Sequence, residues 1–268
     1  MDFEKGVEFV RRNGSEVEQA RLQFLLKGER PSQDVVAKLF AGQRPDGGWP
    51  PSWASDYTSL DATCFRLAQA EQLGITASDA TAAHAVRFLA QRQSADGSWE
   101  EDERVAAVAP SWAKPGDLSA RLYLTANCGL WLALWGNAGN RASMAASYLQ
   151  THLDKDGRLP SFLHAHWLAG GLWHRLDWRE PADRVFEYLS RRINDLAVSN
   201  LSWLITTLCA AGLTTDHHLV DKAAGQLEHG QESDGRWLSE DGPSHDVHST
   251  LEALRALWLC GRVTRRHG

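Results

Sequence analysis

The sequence is poor in cysteine: four in 268 residues, and those four (Cys64, Cys128, Cys209, Cys260) stand far apart within apolar helical patterns. Such spacing argues against a zinc site and fits buried, reduced thiols in the cytoplasm. No apolar run approaches the roughly 18 residues needed to cross a bilayer. The opening MDFEKGVEFVRR carries charges throughout and lacks the apolar centre of a signal peptide. Positive charge is short as well. A net charge of −6 gives no electrostatic footprint for nucleic acid. The basic tail RVTRRHG is too short to change that and reads as a frayed end. These shortages point to a cytoplasmic protein, at most peripheral to a membrane, with no nucleic-acid partner.

What the chain does have is tryptophan, 12 of them, and 22 glycines. Three stretches hold three of those tryptophans and four of the glycines in one repeated pattern: QRPDGGW at 43–49, QSADGSW at 93–99 and QESDGRW at 231–237 share Q-x-x-D-G-x-W. A worn copy, LDKDGRLP, lies at 153–160, and a further unit near Asn194 to Asn200 has lost the pattern. Copies fall about 40 to 60 residues apart, the range of a helix-pair repeat. Asp-Gly supplies a turn, because Gly accepts a positive φ and Asp bonds the backbone two residues on. The Gln amide is expected to satisfy carbonyls at the end of the preceding helix. The Trp offers a flat apolar face to a neighbouring helix.

Helices flank each copy. Segments such as TAAHAVRFLAQRQ are apolar on one stripe, whereas LYLTANCGLWLALWG and NLSWLITTLCAAGL are apolar nearly all round. Periodicity places half-wet helices near 2–13, 32–42, 78–93, 140–153, 180–192 and 216–230. Buried helices fall near 15–28, 57–74, 117–136, 160–174, 198–212 and 246–262. An open solenoid should end on polar faces. The last helix, STLEALRALWLCG, keeps a strong apolar stripe, so closure is expected. The expected fold is all-α: residues 1–268 as a single α/α toroid of six inner and six outer helices.

This pattern resembles the QW repeat of the terpene cyclase and protein prenyltransferase superfamily. Prenyltransferases of that superfamily hold zinc through an Asp-x-Cys pair and a distant His. No Asp-x-Cys occurs here, Ser249 rather than His248 takes the His position, and no DDxxD is present. The resemblance therefore implies neither a metal nor another cofactor. Class II terpene cyclases instead carry D-x-D-D-T at the head of an inner helix, the middle Asp protonating an alkene or epoxide. Laid on that motif, Ser59-Leu-Asp-Ala-Thr63 places Asp61 on the middle Asp and Thr63 on the Thr, while Ser59 and Ala62 replace the outer acids. The last repeat reads D-V-H-S-T, with His248 at the middle position and Thr250 on the Thr.

Extending this register aligns Glu18, Asp61, Tyr123, His164, Asn200 and His248 at the mouth of a closed ring. Asp61 has two readings: a helix-terminal carboxylate held ionised by backbone N–H groups, or an acid kept protonated by an apolar cavity. The resemblance implies the acid, with His248 orienting or recharging its proton. Tyr123, His164, Asn200, Trp167 and Trp203 are expected to line the substrate site, the indoles facing a carbocation. His166 reads as structural. The acidic run EEDER (100–104) reads as a solvated loop. It opens an unusually long connection, 100–117, expected to act as a lid with Trp112 over the mouth; 238–246 is a second such loop.

The function implied is an isomerase- or lyase-type cyclisation of a small apolar isoprenoid. Alternatives are an acid–base enzyme of specialised metabolism on the same scaffold and a non-catalytic binding protein. Family members usually pair two barrels, so a single one implies a smaller substrate or a homodimer.

Overall fold

A computed structural model describes residues 1–136 and 140–263. Most of the basic tail lies outside the described residues. Among those described there are twelve α-helices and no strand. The helices at the half-wet places of the sequence alternation, termed outer, are α1 (Phe3–Asn13), α3 (Gln33–Phe40), α5 (Ala80–Gln91), α7 (Arg141–Gln150), α9 (Arg179–Arg192) and α11 (His218–His229). Those at its apolar places, termed inner, are α2 (Glu16–Lys27), α4 (Leu60–Glu71), α6 (Leu118–Trp135), α8 (Leu163–Arg175), α10 (Val198–Ala210) and α12 (Asp246–Leu259). Side-chain caps set several starts: Ser15 with Glu18 forms a capping box on α2, and Asp79 and Asp117 cap α5 and α6. The chain forms two compact units, Met1–Val35 with Leu189–Gly268 and Val36–Tyr188.

The repeat motif works as a clip, and its parts divide the labour differently from the expectation. The Trp indole, not the Gln, satisfies the end of the preceding outer helix. Trp99 Nε1 donates to Leu89 O at 2.8 Å, Trp237 Nε1 to Leu227 O at 2.8 Å and Trp49 Nε1 to Ala41 O at 3.2 Å. The Gln amide reaches forward instead. Gln93 Nε2 bridges Gly97 O and Arg141 O, Gln43 Nε2 bridges Gly47 O and Thr81 O, and Gln231 Nε2 bridges Gly235 O and Asp2 O. Each Gln thus ties its own turn to the start of the next outer helix. The motif glycine serves the same approach: Gly97 has φ +93°, and a Cβ there would run into the backbone of Met144.

The backbone N–H of each repeat Trp is buried and takes a hydroxyl from the following inner helix. Trp49 N donates to Thr63 Oγ1 (3.2 Å), Trp99 N to Thr125 Oγ1 (3.0 Å) and Trp237 N to Thr250 Oγ1 (3.0 Å). In the worn copy Leu159 replaces the Trp, and its N–H donates to His166 Nε2 at 3.0 Å. His166 is therefore structural. These bonds mark equivalent positions along α4, α6, α8 and α12. Two residues earlier on those helices stand Asp61, Tyr123, His164 and His248.

The cysteines, distant in sequence, meet in pairs. Cys64 of α4 and Cys128 of α6 are buried with their sulfurs 3.8 Å apart, and Cys209 bonds to Cys260. All four are free thiols.

Candidate functional site

In the unit 36–188, Asp61 stands in the first turn of α4 yet does not cap it. Ser59 does: its hydroxyl accepts from Ala62 N at 3.3 Å. The next donors belong to Glu101, whose carboxylate accepts from Leu60 N at 2.9 Å and from Asp61 N at 3.5 Å. The Asp61 side chain is left for other partners. Its Oδ1 accepts the Tyr123 hydroxyl at 2.7 Å, and the Trp112 indole donates to the same carboxyl. Tyr123 in turn bonds Asn127. Burial pushes the Asp61 carboxyl up from its ordinary value, while the donors Tyr123 and Trp112 pull it down. Burial and the neighbouring Asp61 carry the Tyr123 phenol well above its usual range, so it stays a hydrogen donor.

His164 lies beside this pair, its ring meeting Tyr123 nearly edge-on at 6.3 Å and Trp167 at 4.9 Å. Trp167 is fully buried and backs His164 from behind. Trp112, by contrast, is 44% exposed although it holds Asp61. Phe65, one turn beyond Asp61 on α4, is 48% exposed, so apolar surface borders the acid on its own helix face.

The run 100–104 corrects the expectation of a solvated loop. Glu101 is buried, and besides the backbone donors it accepts the Ser59 hydroxyl at 2.6 Å and the Tyr57 hydroxyl at 2.9 Å. Burial pushes its carboxyl up, opposed by those donors. Glu100 pairs with Arg121 at 2.6 Å and also accepts from Gly116 N. The segment 100–117 is thus pinned at its base, with Val108 and Trp112 exposed. Nothing in EEDER distinguishes Glu101 from its neighbours. The available signal was its position two residues after a repeat Trp, where the chain turns toward an inner helix.

In the other unit, His248 of α12 faces Arg21 of α2. Arg21 is fully buried, its guanidinium 2.6 Å from Glu252 and 3.3 Å from His248 Nδ1. A guanidinium only donates, so Nδ1 accepts and the neutral ring carries its hydrogen on Nε2. Burial first, then the charge of Arg21, hold the His248 pKa below its ordinary value. Glu18 is half-buried and returns a bond to Ser15 N at 2.8 Å, so it closes its own helix cap. Asn200 donates to Glu240 in the 238–246 loop, and Trp203 stands one turn later on α10, half-buried. Among the described residues no cluster of His, Cys, Asp and Glu suits a metal, and no helix is long and apolar enough to cross a membrane.

No family model matches the chain, and no curated protein is similar in sequence. Solved structures are similar in fold. A protein from Actinoplanes superposes with a TM-score of 0.65 at 17% identity, covering 97% of this chain and 98% of its own. The type II terpene cyclase MstE from Scytonema superposes at 0.63 and 14% identity, covering 97% of both chains. A variant of MstE in complex with geranylgeranyl dihydroxybenzoate, its substrate, gives 0.61 and 14%, covering 97% of this chain and 96% of that one. The chain shares the fold of a terpene cyclase from end to end.

Proposed function

We propose that this protein is a class II-type terpenoid cyclase, with Asp61 as the acid that protonates a polyprenyl chain. One observation carries the reading: the Asp61 carboxyl is turned away from its own helix terminus and held by Tyr123 and Trp112 beside exposed apolar surface. Proton donation to an alkene or epoxide needs a carboxyl that is protonated at rest and has a stabilised conjugate base. Burial serves the first need. The two donors serve the second, since each bonds more strongly to the carboxylate than to the acid. The proton passes from Asp61 to the less substituted carbon of the terminal alkene, or to the epoxide oxygen; the tertiary cation so formed is attacked by the next double bond, and loss of a proton ends the cyclisation.

Aromatic faces at Tyr123, Trp112 and Phe65 then attract that cation. The scheme requires that this cation be shielded from water until cyclisation ends. His164, in the same unit as Asp61, belongs to the same substrate site, with Trp167 backing it. His248, in the other unit, is held by Arg21 in its Nε2–H form, and its lowered pKa makes it a poor proton store. The proposal takes 100–117 as the lid of this site. It requires no cofactor.

The substrate class is a polyprenyl chain, free or carried on a polar aromatic head as in the MstE ligand. The test is incubation with linear isoprenoids, their epoxides and geranylgeranyl dihydroxybenzoate, followed by product analysis. Asp61→Asn should lower turnover by about 10²–10⁴-fold. Equal product from both proteins removes Asp61 from the mechanism. Binding without product from either leaves a binding protein of the same fold.

A further inference from the structure

The inner helix that bears Asp61 lacks acids at 59 and 62, yet a second carboxylate reaches its head from outside. We propose that Glu101 is the ionised member of a carboxyl pair and that its fixed negative charge keeps Asp61 protonated in the resting protein. This deepens the cyclase reading and rests on it for its catalytic meaning.

The hydrogen-bond geometry assigns the charge. Ser59's hydroxyl accepts from Ala62 N at 3.3 Å, so its own hydrogen turns to Glu101 Oε1 at 2.6 Å. Tyr57's hydroxyl accepts from Asp102 N at 2.8 Å, so its hydrogen turns to Glu101 Oε2 at 2.9 Å. Leu60 N–H points at both carboxyl oxygens, at 2.9 and 3.2 Å, and Asp61 N–H adds a longer contact at 3.5 Å. Every one of these partners offers a hydrogen, and the backbone donors open α4, where the helix dipole favours an anion. A proton on Glu101 would stand against one of those hydrogens.

Asp61 receives two donors, Tyr123 and Trp112, and takes no backbone N–H of α4. Glu101 is buried and Asp61 half-buried; the charge of Asp61 opposes ionisation of Glu101, and the opposition is mutual, so the two do not both ionise readily. The better-served one takes the charge, and the proton stays on the other. The groups facing Asp61 are then Tyr123 and Cys128 from α6, Trp112 and Glu101 from the 100–117 segment, and Cys64 on its own helix. Glu101 touches no substrate in this scheme; it is a positioning residue for the proton.

The test needs no substrate, so its outcome is separate from that of the cyclase reading. Protein labelled with ¹³C at Asp side-chain carboxyls is titrated by NMR, and the Asp61 signal is assigned by its loss in Asp61→Asn. Asp61 should be protonated at pH 7 in the unaltered protein. In Glu101→Gln its midpoint should fall by about one pH unit or more, because the opposing charge is gone. Glu101→Asp, which keeps a carboxylate, should hold the midpoint near the original. A structural role alone would lower the melting temperature of Glu101→Gln and leave the midpoint in place. An unmoved or raised midpoint overturns the proposal. So does an ionised Asp61 at pH 7 in the unaltered protein, a reading available even if the Gln variant does not fold.

Discussion

The Tyr123 hydroxyl donates to Asp61 Oδ1 at 2.7 Å across the gap between α6 and α4. A hydrogen bond to a carboxylate stabilises the charged form and lowers the pKa. Tyr123→Phe removes that donor while keeping the ring that meets His164 and Phe162. Asp61 should then stay protonated to a higher pH, the opposite direction from Glu101→Gln. It should also be a weaker acid. Turnover at neutral pH is expected to fall by about tenfold or more, since a charge-assisted bond contributes about 1.5–3 kcal/mol. A pH–rate profile whose basic limb moves up while its plateau drops is the outcome to look for; a plateau drop alone would mean Tyr123 only shapes the pocket.

Thr125 gives a prediction about the fold. Its hydroxyl receives the buried N–H of Trp99, and the side chain is fully buried. Thr125→Val keeps the volume and deletes the acceptor, leaving a backbone donor unsatisfied away from water. The expected loss is about 1–3 kcal/mol in urea unfolding. A Val substitution at the exposed end of the same helix should cost much less. Near-equal losses at the two positions would mean the clip contributes nothing special.

The architecture was legible because it rests on local chemistry. Alternation of half-wet and fully apolar segments located all twelve helices to within a few residues, as the inner helix expected at 117–136 and found at Leu118–Trp135 illustrates. The motif was legible as a turn, but its wiring was not. Sequence shows that Gln93 and Trp99 recur together; only packing decides that the indole closes Leu89 and the amide reaches Arg141. The register was readable through Thr63 and Thr250. The same level at α8 was obscured, because His166 does there through a ring nitrogen what Thr does through a hydroxyl. Glu101 was hidden for a different reason. Four acids in EEDER share one composition, and whether a carboxylate is solvated or buried under a helix end depends on the path of the chain. Arg21 posed the same difficulty: a lone arginine in α2 gives no hint of partners more than two hundred residues away.

The cluster of Arg21, His248 and Glu252 makes stability depend on pH in a direction the geometry fixes. Folded His248 is held below its ordinary pKa by burial and by Arg21, against the pull of Glu252 and Glu18, with His245 adding to the lowering. The unfolded chain protonates this histidine near pH 6.5. As pH falls through that value the unfolded state binds a proton the folded state resists, so stability declines. The decline ends only below the folded pKa. At full effect one such group contributes a slope of about 1.4 kcal/mol per pH unit. His248→Gln keeps an acceptor for Arg21 and has nothing to titrate. Urea unfolding of both proteins at intervals from pH 7.5 to about pH 5 should therefore show a shallower decline for the variant. Parallel curves would mean that His248 takes its proton as readily folded as unfolded, and that the Arg21 contact does not set its tautomer.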